Sequence, residues 1–223
     1  CASGASDYIC FTSSISVYGP TEAPKSELDS PSPNSDYGRS KLMAERIHQG
    51  WLDQARARRL TIIRPAAVFG PGENGNFTRL ARALRASRFM YAGRTDVIKS
   101  CGYVDDLVRA MEFAEQLRER QILFNFCNPK QSDIQEICQA FHEVAGYRMP
   151  RTIPKTALAI GIRALRAVNP HDKGTISAAR ITKLITSTNI VPQVLQGLGF
   201  EWQTDLLDGI RAWYWDSETA GFE

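Results

Sequence analysis

The chain has 223 residues, 43% of them hydrophobic and 23% charged, with a formal net charge of +3. That length suits one large or two small domains, and that balance is ordinary for a globular protein. The charge is too slight and too dispersed for a nucleic-acid surface, and no long basic run interleaves with aromatics.

The first residues, CASGASDYICFTSS, pass from what reads as a helix end straight into a strand. The chain is therefore expected to begin in the middle of a fold. Tyr8, Ile9, Cys10 and Phe11 form a short apolar run ending in small hydroxyls, which predicts a buried parallel strand. Residues 17–36 are rich in Pro, Ser and Asp, lack periodicity, and read as a loop. A helix is predicted over 37–57, with Leu42, Met43, Ile47, Trp51 and Leu52 at helical spacing. RLTIIRP is a second buried strand, closed by Pro65.

NFTRLARALRA reads as an amphipathic helix, and SRFMYAG as a short strand turning at Gly93. VDDLVRAMEFAEQL is a further helix and QILFNFCN a third strand. SDIQEICQAFHEVAG follows as a helix, with Ser132 expected as its N-cap and Gly146 past its end. The tail reads as more helices, punctuated by Pro150, Pro154, Pro170 and Pro192. Strands alternating with helices predict an α/β fold with a parallel sheet, and strands thin out toward a smaller, mostly helical C-terminal part.

The five cysteines, Cys1, Cys10, Cys101, Cys127 and Cys138, show neither metal-ligand nor C-x-x-C spacing. They read as reduced thiols of a cytoplasmic chain. The most apolar stretch, KTALAIGIRALRAV, carries Arg163 and Arg166 and is too short to span a bilayer. His48, His142 and His171 are scattered, so no metal site is expected. Asp105 and Asp106 are adjacent at a helix start and point to different sides; Asp106 reads as a loop-holding residue. Trp202, Trp213 and Trp215 read as packing residues.

Tyr37 and Lys41 are four residues apart, so they share one helical face. A free phenol ionises near pKa ~10, too high for a general base at neutral pH. A neighbouring ammonium favours the phenolate, which can then exchange a proton with a substrate hydroxyl. Y-x-x-x-K alone also occurs by chance in many helices. FTSSISVYG lies at the carboxyl end of the preceding strand, where open α/β sheets place ligands. Ser13 or Ser14 there reads equally as a hydrogen-bond donor to a ligand or as a strand terminator bonded to its own backbone.

FTSSISVYG, YGRSK, RPAAVFGPG, YVDDLVRAM and the late LGFEWQTDLLDGI occur in the order seen in extended short-chain dehydrogenases/reductases. The chain resembles their NAD-dependent epimerase/dehydratase family, which includes nucleotide-sugar 4-epimerases, over nearly its whole length. The resemblance implies a partial Rossmann-like doubly wound parallel sheet plus a smaller helical substrate domain. Residues 1–70 would then complete the dinucleotide-binding domain. Residues 71–98 would enter the substrate domain, 99–130 return to the Rossmann edge, and 131–223 form mainly the substrate domain.

The resemblance also implies roles. Tyr37 would be the acid/base for a sugar hydroxyl, Lys41 would support it and hold the nicotinamide ribose, and Ser14 would orient the reacting oxygen. Ser13 would lie beside the nicotinamide, and Pro65 with the backbone after it would flank the carboxamide. Lys99 and Arg180 would grip a substrate diphosphate. Two departures stand out: Ala66 and Ala67 replace a frequent Asn, and Lys99 replaces an Arg, losing a bidentate fork.

The implied activity is NAD(P)-dependent epimerisation or dehydration of a nucleotide sugar, with NAD as cofactor and NADP open, by a homodimer. The alternatives are a dehydrogenase or reductase of a hydrophobic alcohol, like the 3β-hydroxysteroid and dihydroflavonol branches, and a non-catalytic fragment or binding subunit. One Gly-x-Gly-x-x-Gly run exists, at Gly70, Gly72 and Gly75, but Pro71 removes an amide donor that a phosphate would need. It also follows the catalytic residues, whereas the family's cofactor turn precedes them. The pyrophosphate-binding turn is therefore expected to lie outside these 223 residues, and this chain alone to bind a dinucleotide weakly or not at all.

Overall fold

The computed structural model describes residues 6–154, 156–157, 159, 184–216 and 221–222. The order begins β1 (Tyr8–Thr12), a 3₁₀ turn (Ile15–Tyr18), β2 (Thr21–Lys25), α1 (Asp36–Asp53), β3 (Arg59–Pro65) and β4 (Ala67–Phe69). It continues with α2 (Asn76–Arg85), β5 (Met90–Ala92), β6 (Cys101–Tyr103), α3 (Val104–Gln116), β7 (Gln121–Phe126) and α4 (Ile134–Ala145). Then come β8 (Arg151–Ile153), β9 (Thr188–Ile190), α5 (Gln193–Gly197) and α6 (Leu206–Asp216).

The main sheet has the order β1-β3-β7, all parallel. β3 is central, and Leu60, Ile62 and Ile63 are fully buried. Its side chains alternate between two layers. Leu60 and Ile62 pack with Trp51 and Leu52 of α1, and with Ile9, Phe11 and Leu123 beside them. Ile63 packs with Leu107 and Ala110 of α3 and with Phe124 and Phe126 of β7. Each such buried side chain contributes about 1.5–3 kcal/mol. The result is an α/β fold with helices on both faces of a parallel sheet.

Three short parallel ribbons accompany it among the described residues: β4 with β6, β5 with β8, and β2 with β9. A second core gathers Phe69, Phe77, Phe141, Ile210 and Trp213 around α2, α4 and α6. Asp106 anchors the late loop to α3. It is buried, and its carboxylate accepts from the amides of Gln203 and Thr204 at 3.1 and 3.0 Å and from Arg109 at 2.8 Å.

Several elements differ from expectation, each for a local reason. β1 is only partly buried, because it is an edge strand with one partner among the described residues. β2 lies within the expected loop; it is a mostly exposed ribbon strand and so carries no apolar periodicity. Helix α1 stops at Asp53, where Arg58 donates to the carbonyl of Trp51 at 2.7 Å and satisfies an end-of-helix acceptor. Asp133, not Ser132, caps α4, through a capping box with Glu136; Gly146 then closes it in the left-handed conformation. Trp213 is core, whereas Trp215 is exposed.

Candidate active site

Helix α1 begins at Ser35, whose hydroxyl accepts from the Gly38 amide at 3.1 Å. That start puts Tyr37 and Lys41 on one face, and Lys41 reaches the carboxyl end of β1. Lys41 Nζ donates to the Thr12 carbonyl at 2.8 Å and lies 5.2 Å from the Phe11 ring centre and 5.9 Å from the Tyr37 ring centre. Tyr37 is 55% exposed. Its ring is open to a ligand, while the ammonium beside it is tethered to the strand.

Ser13 and Ser14 follow at the strand end, and both are buried. The Ser13 amide continues the ladder to the Ile63 carbonyl at 2.6 Å, and its hydroxyl donates to Glu45 Oε1 at 2.5 Å. Ser14 caps the 3₁₀ turn: its Oγ accepts from the Ser16 amide and donates to Ser16 Oγ, both at 3.1 Å. Pro65 ends β3 opposite Phe126, and the amide of Ala66 after it donates to the Phe126 carbonyl at 2.8 Å. The donors after Pro65 therefore belong to the sheet.

Lys99 stands apart from this group. Its Nζ donates to the Thr186 carbonyl at 2.7 Å, and its backbone bridges Thr188. Burial pushes the ammonium down to about 8, with Glu22 opposing that shift and Arg94 adding to it. Arg180 lies outside the described residues.

A buried polar network beneath the Tyr37–Lys41 face was not among the expected site residues. Glu45, one turn beyond Lys41, is 2% exposed and accepts from Arg64 Nε at 2.9 Å and Arg64 Nη2 at 2.7 Å. Arg64 Nη1 donates to Tyr18 Oη at 2.7 Å, and Tyr18 donates onward to Asn125 Oδ1 at 3.0 Å. Burial opposes the charge on Arg64, but its bonds to Glu45 and Tyr18 outweigh that and hold it above the ordinary guanidinium range. Two signals could have found the network: a charged residue inside the apolar run of β3, and a Glu on the same helical face as Tyr37 and Lys41.

The Gly70–Gly75 turn does follow a strand and open helix α2, with Gly70 and Gly72 at positive φ. Its helix end is already occupied by a carboxylate. Glu73 Oε2 accepts from the Thr78 amide at 2.8 Å and from the Thr78 hydroxyl at 2.7 Å. A phosphate would have to displace that anion, which adds to the missing amide of Pro71.

Lys41 gives one of its three donor hydrogens to Thr12, and within the described residues the ammonium makes no second hydrogen bond. An ammonium with donors to offer and an exposed phenol, at the carboxyl end of a parallel strand, fit a hydroxyl-bearing ligand such as a ribose or a sugar. Among the described residues, no group of three His, Cys, Asp or Glu could hold a metal ion, and no helix is long and apolar enough to cross a membrane.

A profile of the NAD dependent epimerase/dehydratase family matches residues 1–125, more than half of the chain. The chain belongs to that family. A relative from Escherichia coli O157:H7, N-acetyl-alpha-D-glucosaminyl-diphospho-ditrans,octacis-undecaprenol 4-epimerase, is 36% identical over 106 residues. That match covers 47% of this chain and 32% of the relative. Among solved family-like structures, MoeE5 in complex with UDP-glucuronic acid and NAD superposes with a TM-score of 0.67 at 25% identity, over 92% of this chain and 63% of its own. UDP-glucuronic acid 4-epimerase from Bacillus cereus, in complex with UDP-glucuronic acid and NAD, gives a TM-score of 0.67 at 20% identity, over 93% and 60%. The second likeness is one of fold. The chain spans less than two thirds of the length of each of these relatives.

Proposed function

We propose that the chain carries the acid/base half of an NAD(P)-dependent 4-epimerase acting on a sugar attached to a diphosphate, with a nucleotide sugar as substrate. The observation that carries this reading is the Lys41 ammonium, held by Thr12 beside the exposed Tyr37 ring at the end of β1. Tyr37 would take the proton from the sugar hydroxyl, favoured as phenolate by Lys41. Ser14 would turn its hydroxyl from Ser16 toward the same oxygen. When bound, NAD would supply the two-electron oxidation of the sugar carbon and return the electrons afterwards. Lys41 would hold its ribose, and Ser13 and Pro65 would line the nicotinamide end.

The names of the relatives support a sugar-diphosphate substrate. Epimerisation is supported over dehydration by the state of Glu45. Eliminating water calls for proton transfer beyond the one assigned to Tyr37, and the Glu45 carboxylate beside the cluster is already closed by Arg64 and Ser13. We also propose that the exposed side of α1 meets a second copy of the chain.

Tyr37→Phe in the complete natural polypeptide should lower turnover of a UDP-sugar by about 10²–10⁴-fold. Near-native turnover in that variant would refute the acid/base role. Thermal-shift screening with UDP, dTDP and GDP, against hydrophobic alcohols, separates a sugar-nucleotide enzyme from a reductase of apolar substrates.

A further inference from the structure

Lys41 and Glu45 are four residues apart on one helical face, a spacing at which Lys and Glu pair even in the weaker Lys-first order. Here they do not pair. Lys41 donates to Thr12, and Glu45 is closed by three other donors: Ser13 Oγ on Oε1, Arg64 Nε on Oε1 and Arg64 Nη2 on Oε2. Arg64 reaches Glu45 from the central strand, and its side chain is 5% exposed. Burying such a pair carries a desolvation cost of several kcal/mol per ion, and well-packed apolar residues of similar volume often serve stability as well. Fold stability alone therefore does not account for Arg64.

We propose that Arg64 is a positioning residue: by covering both oxygens of Glu45 it keeps that carboxylate from capturing the Lys41 ammonium, and so leaves Lys41 beside Tyr37. The inference rests on the acid/base role proposed for Tyr37. Glu45 itself is needed at the strand end, where it holds the Ser13 hydroxyl. A carboxylate one turn from a functional ammonium must then be neutralised by a cation that cannot drift away. A guanidinium anchored in β3, with a further bond to Tyr18, meets that need; its planar fork matches both oxygens at once.

The other charged or titratable groups around the pair come from each packed element. On α1 they are Glu45, His48, which stacks on Phe11 at 4.3 Å, and the exposed Asp36–Arg39 pair. From β3 there is Arg64, and from the 3₁₀ turn Tyr18, on which the Glu27 carboxylate also acts. Of these, Glu45 is the carboxylate at the i+4 position from Lys41.

In Arg64→Met, Glu45 keeps only Ser13 of these partners, and Lys41, one helical turn back on the same face, has a flexible stem that can turn to it. Once the ammonium moves, the phenolate of Tyr37 is less favoured, so the acid limb of the pH–rate profile moves to higher pH. The test measures kcat/KM against pH, with melting temperatures, for the complete natural polypeptide. The variants are Arg64→Met, Glu45→Met/Arg64→Met and Tyr37→Phe, with His48→Gln as a control because that imidazole stacks on the same Phe11 ring that Lys41 lies over.

The expected result is a displaced limb in Arg64→Met that returns to the wild-type position in the double variant, whatever its kcat. A purely structural pair would not give that return. A folded Arg64→Met with an unmoved limb overturns the proposal, as does a double variant displaced as far as the single one. If Arg64→Met does not fold, Arg64→Gln takes its place: its neutral amide leaves the Glu45 charge uncompensated, so a displaced limb supports the proposal and an unmoved one overturns it. Near-native turnover in Tyr37→Phe is a separate outcome; it removes the acid/base reading itself, and this inference with it.

Discussion

Burial holds the ammonium of Lys99 down to about 8, and that makes the diphosphate contact implied by the family resemblance testable by proton counting. A diphosphate beside it would favour the charged form and raise that value. Between about pH 8 and the value reached in the complex, the free protein is partly neutral and the complex charged, so binding takes up a proton. Below about pH 8 the amine is charged in both states and no proton moves. UDP affinity should therefore weaken as pH rises above about 8, and calorimetry near pH ~9 in buffers of different ionisation heat should show uptake. Lys99→Arg should abolish the uptake while keeping the charge; UDP binding near that pH without proton exchange would remove Lys99 from the diphosphate site. Single residues were unevenly legible in the sequence. Tyr37 and Lys41 stood out by spacing and by the serines before them. Glu45 and Arg64 stood out less, because a Glu on an amphipathic helix reads as a solvated charge and the Arg inside the apolar run of β3 has no partner in its local pattern. Only the placing of β3 over α1 shows that both are buried.

Helix α1 was legible as an element, but the reason for its Gly38 was not. A Cβ at Gly38 would collide with the carbonyl oxygen of Ser16 and lie 3.1 Å from Pro33 Cβ. The helix start therefore sits directly against the turn that carries Ser14. Gly50, in the same helix, has nothing within 4 Å of such a Cβ. Alanine should act with opposite sign at the two positions. Gly50→Ala should stabilise by about 0.5–1 kcal/mol through helix propensity. Gly38→Ala has the same propensity gain but pushes against backbone, where overpacking costs about 1–3 kcal/mol, so its denaturation midpoint should fall. Equal midpoints for the two variants would mean that α1 is not in close contact with the turn. The boundaries were harder to read for the same physical reason. Asp53 ends α1 because Arg58 folds back on Trp51, and β2 forms because Thr188–Ile190 arrives from far along the chain. Both depend on partners that a local pattern does not contain.

At the scale of the molecule, the alternation of strands and helices made the parallel sheet legible, since every crossover between its strands needs a helix. The solvent side of α1 is a different matter. Met43 and Ile47 are 57% and 62% exposed, one turn apart, on a helix whose other side already packs on β3 through Trp51 and Leu52. The sequence places them at helical spacing with Trp51 and Leu52, and the protomer leaves them uncovered. We propose that a second copy covers them, α1 against α1 about a two-fold axis, which is the commonest arrangement for a homo-oligomer. An isologous contact places the same two side chains on both partners, so one pair of substitutions counts twice. Met43→Glu/Ile47→Glu would bring four carboxylates together across the axis, while the protomer itself should change by no more than about 0.5 kcal/mol because both sites are on its surface. Sedimentation equilibrium should show a dimer for the wild type and a monomer for the double variant, with unchanged circular dichroism and melting temperature at low concentration. A monomeric wild type would overturn the dimer, and a variant that remains dimeric would place the interface elsewhere. Because Tyr37 lies at the start of the same helix and Lys41 one turn on, loss of the dimer should also reveal whether the partner stiffens the acid/base pair: turnover that falls with dilution along the monomer fraction ties assembly to catalysis, and turnover independent of it leaves the two separate.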